Sequence, residues 1–465
     1  MYFYLATVIA IICYFLYKYY IYPLYLSPLR KIPGPPVDNF ILGHYASILN
    51  RQQGEAFAYL VKQYGGMVRY HGILNKPYLI ISDPTLVQQI LVNCSYDYPK
   101  LIFDRALIKD LLGEGILLAE GDSHKRQRKI LTPSFAFTNI KRMVPTFVQA
   151  GHDLKDLWIK QIGNKKEERI TITALIPNIT LDVIAQAYKL IITRNPSSLY
   201  AAILDTFPFI RKLPTHYNNQ YHNSIKTINN ISERLIAEQK NKLVRGTDLF
   251  SLLINANDNL PVDEQLTHKE LLSQTTNTTL SWSLYFLAKN PDIQDRLRKE
   301  VSDVLIDRNC HPSIDEIEHL KFLECVFKET LRIVSPLPSL LRSNSKDEIM
   351  NGYFIPKKTP LFIPIHAIHH DPLIWGDDAE YFNPSRWLNP EIKSKITNSN
   401  FLPFGAGPKN CLGMKMAYLE FKSILSVIIR NFEFRSVEGF TVKKRFNGLA
   451  KPLPGVDLWV SKVDY

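Results

Sequence analysis

Hydrophobic and polar positions along most of the chain follow helical spacing, with shorter strand-like runs between them. Pro84 and the Asn290–Pro291 pair favour helix starts. Proline has no backbone N–H, and at the first helical position this N–H would have no partner within the helix. The predicted helices are Asp83–Val92, Gly121–Leu131, Thr173–Leu190, Tyr217–Arg245, Asn290–Ile306, Lys321–Ile333 and Leu412–Arg430. The predicted strands are Met67–Tyr70, Tyr78–Ile81, Gly352–Ile355, Pro360–Ile363 and Leu458–Val460. This pattern predicts a mainly α fold with a small β portion (α+β).

The N-terminus carries a membrane-anchor pattern. Met1–Tyr17 has no charged side chain. Its length equals the lower limit for a helix that crosses a bilayer, about 17 residues. Lys18 and several tyrosines follow this run, which favours an uncleaved anchor over a signal peptide or a buried helix. Residues 1–22 are therefore predicted to be a transmembrane anchor and residues 23–38 a stiff, proline-rich spacer. Residues 39–465 form the remaining domain, which the cations after the apolar run place in the cytoplasm.

Composition excludes a disordered or collagen-like chain, since 46% of the residues are apolar and 24 Phe, 24 Tyr and 5 Trp supply a large core. The net charge of +12 favours an acidic partner, an anionic lipid surface or nucleic acid. Five scattered cysteines without a CxxC pair indicate neither a disulfide framework nor a zinc site. A reducing, cytosol-facing compartment fits this cysteine usage best.

The most specific pattern is the segment FGAGPKNCLG, which runs from Phe404 to Gly413 directly before the last long predicted helix. A cysteine at a helix N-terminus meets unpaired N–H groups and the positive end of the helix dipole, which favour the thiolate. Nearby glycines let the backbone lie close to a flat ligand. These are the requirements of a thiolate ligand to haem iron. A lone cysteine is more often a buried structural residue, but the ten-residue context of Cys411 favours the haem ligand.

This segment resembles the haem-binding loop of the cytochrome P450 superfamily, Phe-x-x-Gly-x-x-x-Cys-x-Gly, and each fixed position matches. Glu329-Thr-Leu-Arg332 is similar to the family's Glu-x-x-Arg, and Phe382-Asn-Pro-Ser-Arg386-Trp387 follows at the family's position. The resemblance implies a buried network of Glu329, Arg332 and Arg386 behind the haem. It extends from Pro33-Gly-Pro-Pro36 to about Asn431.

The resemblance also implies which residues contact the haem (iron protoporphyrin IX) beside the axial ligand Cys411. Propionate contacts fall on His124, Arg128, Arg342 and Lys409, while Phe404 and Gly413 belong to the cofactor-binding loop. His124 stands where the family usually has tryptophan, and imidazole can still donate a hydrogen bond. Lys409 replaces the usual arginine, so it keeps the charge and loses the planar fork. The departures predict that haem is held less firmly.

The segment Leu271–Trp282 departs most from the family, in which a long central helix passes over the haem at this position. Between the equivalents of Gln274 and Thr275 the family carries about ten more residues, nearly three helical turns, ending in Ala-Gly-x-Glu. Thr275 would be the catalytic threonine of the proton relay, without the acid that precedes it in the family. Removing these residues also rotates one half of the helix against the other by roughly 80°. Two explanations stay open: an incomplete gene model or splice form, or a protein that tolerates the loss.

Two further clusters of side chains each have two interpretations. His366, His369, His370 and Asp371 look like a metal site, but Pro364 and Pro372 confine any helix there and the family has a structural turn, so metal binding is not favoured. Cations would cluster on the thiolate side, and they predict either a solvated basic face or a docking surface for an acidic electron donor. Those cations are Lys125, Arg126, Arg128, Lys129, Lys141, Arg142, Lys409 and Lys415. Nucleic acid is not expected as a partner, since no binding module is present.

The resemblance implies a monooxygenase that inserts one oxygen atom of O2 into a lipophilic substrate, using electrons from an NADPH-dependent cytochrome reductase or a similar acidic donor. It implies a single-pass protein of the endoplasmic reticulum membrane with a cytosolic catalytic domain. Substrate-facing segments by family position are Tyr98–Leu118, Leu204–Pro214, Pro336–Leu340 and Phe446–Leu453, which are largely apolar. Two alternatives stay open: a haem-thiolate isomerase or dehydratase that needs no proton relay, and an inactive haem-binding pseudo-enzyme.

Overall fold

Helices make up the larger part of the regular structure in this computed structural model, which describes residues 2–49, 54–101, 115–173, 276–307, 311–447 and 449–463, with single positions at 51, 213, 215, 219, 226 and 309. In the described residues the α-helices are, in chain order, α1 Tyr2–Leu16, α2 Tyr45–Leu49, α3 Glu55–Tyr64, α4 Pro84–Gln88, α5 Gly121–Leu131, α6 Phe137–Lys141, α7 Val144–Ile162, α8 Thr276–Lys289, α9 Pro291–Val304, α10 Ile314–His319, α11 Lys321–Ile333, α12 Ile365–His369, α13 Pro372–Trp375, α14 Pro390–Lys395 and α15 Met414–Asn431. Two π-helical segments, Tyr17–Leu26 and Gln89–Asn93, continue α1 and α4. Short 3₁₀ turns lie at Pro28–Lys31, Ile73–Asn75, Ser95–Asp97, Thr132–Phe135, Pro384–Leu388 and Gly407–Lys409.

The strands form small sheets beside the helices. They are β1 Met67–His71, β2 Pro77–Ile81, β3 Glu167–Thr171, β4 Leu340–Ser343, β5 Glu348–Met350, β6 Tyr353–Ile355, β7 Pro360–Ile363, β8 Phe432–Ser436, β9 Lys443–Asn447, β10 Leu449–Leu453 and β11 Asp457–Lys462. One sheet has the order β1-β2-β7-β4, with β2 and β7 parallel and the other pairs antiparallel. A second has the order β3-β11-β8, and β5-β6 and β9-β10 form two-stranded pairs.

The core lies where α7, α8, α11 and α15 meet. Trp158, Trp282 and Phe421 are at most 2% exposed there, and each buried aromatic or aliphatic side chain of this kind stabilises the fold by about 1.5–3 kcal/mol. α7 and α15 pack closely because Gly151 has no side chain. A Cβ at Gly151 would lie 3.1 Å from the Val427 Cβ. The two helices thus hold the segment that follows the cysteine loop against the core.

Most of the predicted elements that fall on described residues are present. Gly121–Leu131, Lys321–Ile333 and Pro360–Ile363 have the predicted bounds. Two predictions need correction: the helix that begins at Pro84 changes from α to π geometry after Gln88, and the last long helix begins at Met414 rather than Leu412. The Cys411 loop continues to Gly413, which caps that helix. The predicted helices Thr173–Leu190 and Tyr217–Arg245 lie almost wholly outside the described residues.

The N-terminal helical run is apolar and projects from the folded part. Within Tyr2–Lys31 an 18-residue window has mean hydropathy 1.5 and no buried residue, so by length and composition this run is able to cross a membrane. The segment after it, predicted to be a proline-rich spacer, packs on the sheet. Leu29 and Ile32 are 3% and 1% exposed, and the Arg69 N–H of β1 donates to the Pro33 carbonyl at 2.8 Å. Burial of apolar side chains holds the segment there.

Candidate functional site

The Phe404–Gly413 loop holds Cys411 between the sheet and α15. The Cys411 N–H donates to the Phe404 carbonyl at 2.9 Å, and the Asn410 N–H donates to the Gly407 carbonyl at 3.1 Å. These bonds close the loop on itself just before α15 begins. The ring of Phe404 lies 6.4 Å from that of Phe327 on α11, measured between centroids. The loop is therefore fixed to both α15 and α11.

Two glycines give the loop its shape for different reasons. Gly405 and Gly407 both have φ +68°, a conformation that L-residues with a Cβ adopt at a cost. At Gly407 a second constraint applies, because a Cβ would lie 2.1 Å from the carbonyl oxygen of Leu91. The loop thus packs directly on the π-helical segment Gln89–Asn93.

The Cys411 thiol is accessible, yet enough protein surrounds it that burial raises its pKa. The Gly413 N–H and the Arg128 cation act in the opposite direction and lower the pKa. In the protein alone, desolvation therefore outweighs the donors that surround the sulfur. A bound metal ion would deprotonate such a thiol outright.

Arg128, on α5, contacts the residue next to the cysteine. Its Nη1 donates to the Asn410 carbonyl, and its Nη2 donates to the Asn410 Oδ1 at 2.6 Å. One guanidinium thus joins α5 to the loop with two parallel hydrogen bonds, the geometry for which arginine is suited. Both terminal nitrogens of Arg128 have a protein partner, so the residue predicted to hold a propionate also positions the loop.

Arg342, on β4, is a buried cation whose charge is not matched by an ion pair among the described residues. It is 6% exposed, its Nη1 donates only to the carbonyl of neighbouring Leu341 at 2.8 Å, and its Nε has no partner in that part of the chain. Burial lowers its pKa to about 10. A buried, incompletely bonded cation is costly on its own and is suited to an anionic ligand.

His124, on α5, is buried and uncharged at neutral pH. It is 2% exposed, and burial together with the nearby cations Lys100 and Lys409 lowers its pKa to about 4. Its Nδ1 lies 3.2 Å from the Tyr96 hydroxyl. When that hydroxyl donates, the imidazole carries its proton on Nε2 and can give it to an acceptor. His124 can therefore act as a neutral donor.

Lys409 has a protein partner. Its Nζ forms an ion pair with Glu120 and also donates to the Tyr98 carbonyl at 3.3 Å, and its side chain is fully buried. The Glu120 carboxylate in turn accepts from the Lys100 N–H at 2.8 Å. A propionate contact by Lys409 would thus be shared with Glu120, a residue that sequence reasoning did not identify.

Glu329, Arg332 and Arg386 form one buried network, as the resemblance implied. Each is at most 4% exposed. The Arg332 Nε and Nη2 donate to the two Glu329 carboxylate oxygens at 2.9 and 2.8 Å, and the Arg386 Nε donates to the Glu329 Oε1 at 2.9 Å. The Trp387 indole N–H and the Asn383 N–H also donate to this carboxylate, each at 2.9 Å. Five donors therefore surround one buried acid.

The remaining nitrogens of the network bind the polypeptide between α12 and α14. The Arg332 Nη1 donates to the carbonyls of His369 and Ala379 at 2.7 and 2.6 Å, and the Arg386 Nη1 donates to the Asp378 Oδ1 at 2.8 Å. These hydrogen bonds thus hold this irregular segment against α11. It orders the polypeptide that leads into the cysteine loop.

The histidines of α12 and the following His370 have structural roles. The His369 Nε2 accepts from the Leu402 N–H at 2.8 Å, which connects α12 to the chain just before the loop. The His370 Nδ1 lies 2.8 Å from the His366 carbonyl. Burial lowers the pKa of His369 to about 3. Within the described residues no group of three or more His, Cys, Asp or Glu side chains is arranged to hold a metal ion.

The described part of the central helix is α8, and it is firmly packed. The Ser283 hydroxyl lies 2.8 Å from that of Thr330 on α11, and the Trp282 indole N–H donates to the Ala450 carbonyl at 3.0 Å. These contacts fix the second half of the helix on α11 and β10. Thr275 and its junction with Gln274 lie outside the described residues, as does most of the predicted substrate-facing segment Leu204–Pro214.

The donor set fits a haem group. Cys411 offers an accessible sulfur in a loop whose packing on Leu91 leaves no room for a Cβ at Gly407, and Arg342 and His124 offer a buried cation and a neutral donor for carboxylates. Sequence reasoning missed Asn410 and Glu120, and it considered His369 only as part of a possible metal cluster; the roles of all three depend on contacts between segments distant in the chain. It also missed Tyr96, which faces His124.

Comparison with known proteins agrees with this geometry. The sequence model of the cytochrome P450 family matches residues 33–458. Similar proteins include cytochrome P450 monooxygenase 205 of Postia placenta, 29% identical over 92% of this chain and 90% of the relative, and cytochrome P450 monooxygenase sphH of Aspergillus fumigatus, 29% identical over 96% and 91%. Cytochrome P450 4F8 of Homo sapiens is 28% identical over 87% and 85%. The first two alignments, of 493 and 501 positions, exceed the 465 residues of this chain, so those relatives carry residues that it lacks.

A family model that covers nearly the whole chain is decisive for its relationship. The family implies haem with a cysteine thiolate ligand, a redox partner and a lipophilic substrate, and its named relatives are monooxygenases. The comparisons give no support to an isomerase, a dehydratase or an inactive pseudo-enzyme. The chain belongs to the cytochrome P450 family and is a haem-dependent monooxygenase, an oxidoreductase.

Proposed function

We propose that this protein inserts one atom of O2 into a lipophilic substrate at a haem whose axial ligand is Cys411. The observation that supports this proposal is the clamped loop, in which Cys411 stays accessible while Arg128 binds its neighbour Asn410 through two hydrogen bonds. Haem with a thiolate ligand supplies the oxygen chemistry, since the thiolate donates electron density that favours O–O cleavage.

We assign different tasks to the four predicted propionate residues. Arg342 supplies the buried cation and His124 a neutral donor, because among the described residues no acid fills the hydrogen-bonding capacity of either. Arg128 and Lys409 position the loop and its surroundings through Asn410 and Glu120, in addition to any propionate contact. Glu329, Arg332 and Arg386 build the scaffold behind the loop, and Phe404 and Gly413 shape it.

The proton relay is proposed for Thr275, at the start of the shortened central helix. The gapped alignments to relatives support the view that this chain lacks residues. From the resemblance to the family pattern, we assign the loss to the junction of Gln274 and Thr275. Without the acid that precedes the threonine in the family, Thr275 is the remaining hydroxyl of the relay. The chain as written is expected to turn over slowly, and restoration of the missing residues is expected to increase the rate.

Electrons are proposed to come from an NADPH-dependent cytochrome reductase or a similar acidic donor. Support comes from exposed cations on the helices next to the loop, among them Lys125, Lys141, Arg142 and Lys415. Such a field accelerates the approach of an acidic partner. Lys409 does not contribute, because it is buried against Glu120.

Location in the endoplasmic reticulum membrane is proposed from the apolar run that ends in tyrosines and cations. The run is exposed throughout its apolar window, as a single-pass anchor would be. In this arrangement residues 1–22 span the bilayer, residues 23–38 connect, and residues 39–465 form the cytosolic domain. The substrate class follows from the largely apolar segments at the predicted substrate positions.

The test is the reduced carbon monoxide difference spectrum of the full chain, recorded for the natural sequence and for a version with the central helix restored. A thiolate-type band that Cys411→Ser abolishes and Cys94→Ser leaves unchanged would support Cys411 as the ligand. Cys94 is the matched control because it is a free, partly exposed thiol outside the loop. Persistence of the band in Cys411→Ser would overturn the assignment.

A further inference from the structure

Glu120 is an acid at the start of α5 whose carboxylate turns away from the helix. It occupies the N-cap position, yet its side chain accepts no hydrogen bond from the N–H groups of α5, a helix that the structure describes in full. An acid at this position commonly accepts from those groups and gains from the positive end of the helix dipole. Glu120 forgoes this stabilisation, and its carboxylate forms other contacts instead.

The Glu120 carboxylate connects α5 to two segments distant in the chain. Its Oε1 accepts from the Lys100 N–H at 2.8 Å, and its Oε2 accepts from the Lys409 Nζ. The Lys100 side chain strengthens the connection, because its Nζ donates to the carbonyls of Ile116 and Leu117, both at 2.9 Å. The carboxylate is thus held at both oxygens, and only 21% of the Glu120 side chain is exposed.

Lys409 keeps one N–H for a further acceptor. A lysine ammonium group has three N–H groups. Within the described residues, the Lys409 Nζ donates to Glu120 and to the Tyr98 carbonyl, the latter at 3.3 Å. The Lys409 side chain is fully buried. Glu120 and Tyr98 therefore hold a buried ammonium group that can still donate to an anionic ligand.

The charge of Glu120 also reaches the other groups assigned to the haem carboxylates. Burial lowers the pKa of Arg342 and of His124, and the negative charge of Glu120 acts against this shift in both residues. Burial likewise lowers the pKa of Lys409, and Glu120 again opposes the shift. Lys100, whose N–H binds Glu120, also pairs with Arg342 in an antiparallel bridge. One carboxylate thus influences all three groups.

We propose that Glu120 is a positioning residue that lowers the reduction potential of the haem by offsetting the charge of Lys409. The proposal rests on the haem site assigned under the proposed function. One-electron reduction makes a haem more negative, so a nearby cation favours the reduced state and a nearby anion opposes it. Since Glu120 and Lys409 together carry no net charge, their pair gives the reduced state less support than Lys409 alone would give.

A purely structural role for Glu120 leads to a different expectation. Glutamine at this position keeps an oxygen that accepts from the Lys100 N–H, while it loses the negative charge. The connection between α5 and Lys100 would then persist, although the charge beside Lys409 was gone. Glu120→Gln therefore separates a structural role from an electrostatic one.

The test is a redox titration of the haem-loaded full chain in phosphatidylcholine nanodiscs, followed by the absorption spectrum of the haem. The variants are Glu120→Gln, Lys409→Gln, the combination of both, and Asp122→Asn. Asp122 is the matched control because it lies in the first turn of α5 and its side chain is 96% exposed, so solvent screens its charge. The carbon monoxide difference spectrum of each variant is recorded first.

We expect Glu120→Gln to raise the reduction potential by about 59 mV, which equals a tenfold shift of a one-electron equilibrium. Asp122→Asn is expected to give a several-fold smaller change. Lys409→Gln is expected to lower the potential. The combined variant is expected to return close to the natural value, because a neutral pair and an oppositely charged pair have the same net charge.

An unchanged potential in Glu120→Gln, or an equal rise in Asp122→Asn, would overturn the proposal and leave the haem site in place. Loss of the thiolate-type band in Glu120→Gln alone would show a structural role and would also overturn it. A combined variant that kept the full rise would show that Glu120 acts without Lys409, contrary to the proposal. Absence of the thiolate-type band from the natural chain would refute the proposed function itself, and this proposal with it.

Discussion

Single residues decide whether the cysteine loop can keep its shape. Replacement of Gly407 by alanine is expected to abolish the thiolate-type spectrum, because a Cβ there would lie 2.1 Å from the Leu91 carbonyl oxygen. Gly439→Ala is the matched control. It has nearly the same φ, +71° against +68°, and nothing within 4 Å of the added Cβ. Both variants carry the backbone cost of about 1–2 kcal/mol, so a spectrum lost equally in both would contradict the clash.

The buried carboxylate of Glu329 is expected to be the most sensitive position of the network. Glu329→Gln removes the charge that two buried arginines share, and breaking a buried pair of this kind costs about 3–5 kcal/mol. The free energy of unfolding in urea measures this loss. Asp378→Asn serves as the control, because Asp378 also pairs with Arg386 but its side chain is 45% exposed. A loss at Glu329 no larger than that at Asp378 would refute the expectation.

The sequence predicted the three members of the buried network, Glu329, Arg332 and Arg386. It did not predict the other residues that contact them. Glu329 and Arg332 lie three apart and share a helix face by geometry alone. Arg386 was placed only by the family pattern. The contacts of Trp387 and Asn383 with the same carboxylate, and of Arg128 with Asn410, depend on how separate segments fold onto one another.

Among the helices, α15 carries a buried lysine that makes its packing depend on pH. Lys422 is fully buried, and its Nζ lies 3.3 Å from the Tyr418 hydroxyl, which donates to Glu324. Burial lowers the pKa of Lys422 to about 8, against an ordinary value of 10.5. The charges of Glu324, Lys321, Glu300 and Glu318 act on it as well. A charged lysine in this position is a destabilising element at neutral pH.

The sign of the pH dependence follows from proton binding. Between about pH 8 and pH 10.5 the unfolded chain binds the Lys422 proton and the folded chain does not, so this residue's contribution to stability improves as pH rises. Lys422→Met is therefore expected to be more stable than the natural chain at pH 7, by a margin that shrinks towards pH 10. Urea unfolding of both proteins across this range checks the difference. A margin independent of pH would contradict the expected titration.

At the element scale, prediction succeeded where a pattern was local. The bounds of α5 and α11 follow from sequence, since amphipathic spacing and flanking residues act within a few turns. The change from α to π geometry after Gln88 was not predicted, and this π-helical segment is what the Gly407 turn packs on. Such a change is specified by contacts with the loop rather than by local preference.

The charge distribution of the whole molecule predicts how an electron donor docks. Lys141 and Arg142 are exposed at the end of α6, which packs on α15, so Lys141→Glu with Arg142→Glu is expected to weaken reductase binding about tenfold at low salt, with a smaller effect at high salt. Lys443→Glu with Lys462→Glu, on exposed cations of β9 and β11, is the matched control. Titration of reductase into membranes measures the affinity. An equal loss in both double variants would indicate a general charge effect and not a docking face.

The sequence by itself determined the family, the identity of the thiolate candidate and several of the helices on the described residues. These depend on short-range patterns, such as the ten residues around Cys411 and the apolar faces of α11 and α15. Only the tertiary structure decided that Arg128 binds Asn410, that Lys409 is neutralised by Glu120 and that the proline-rich segment lies on β1. Each of these contacts joins positions far apart in the chain, and their geometry depends on the packing of the whole core.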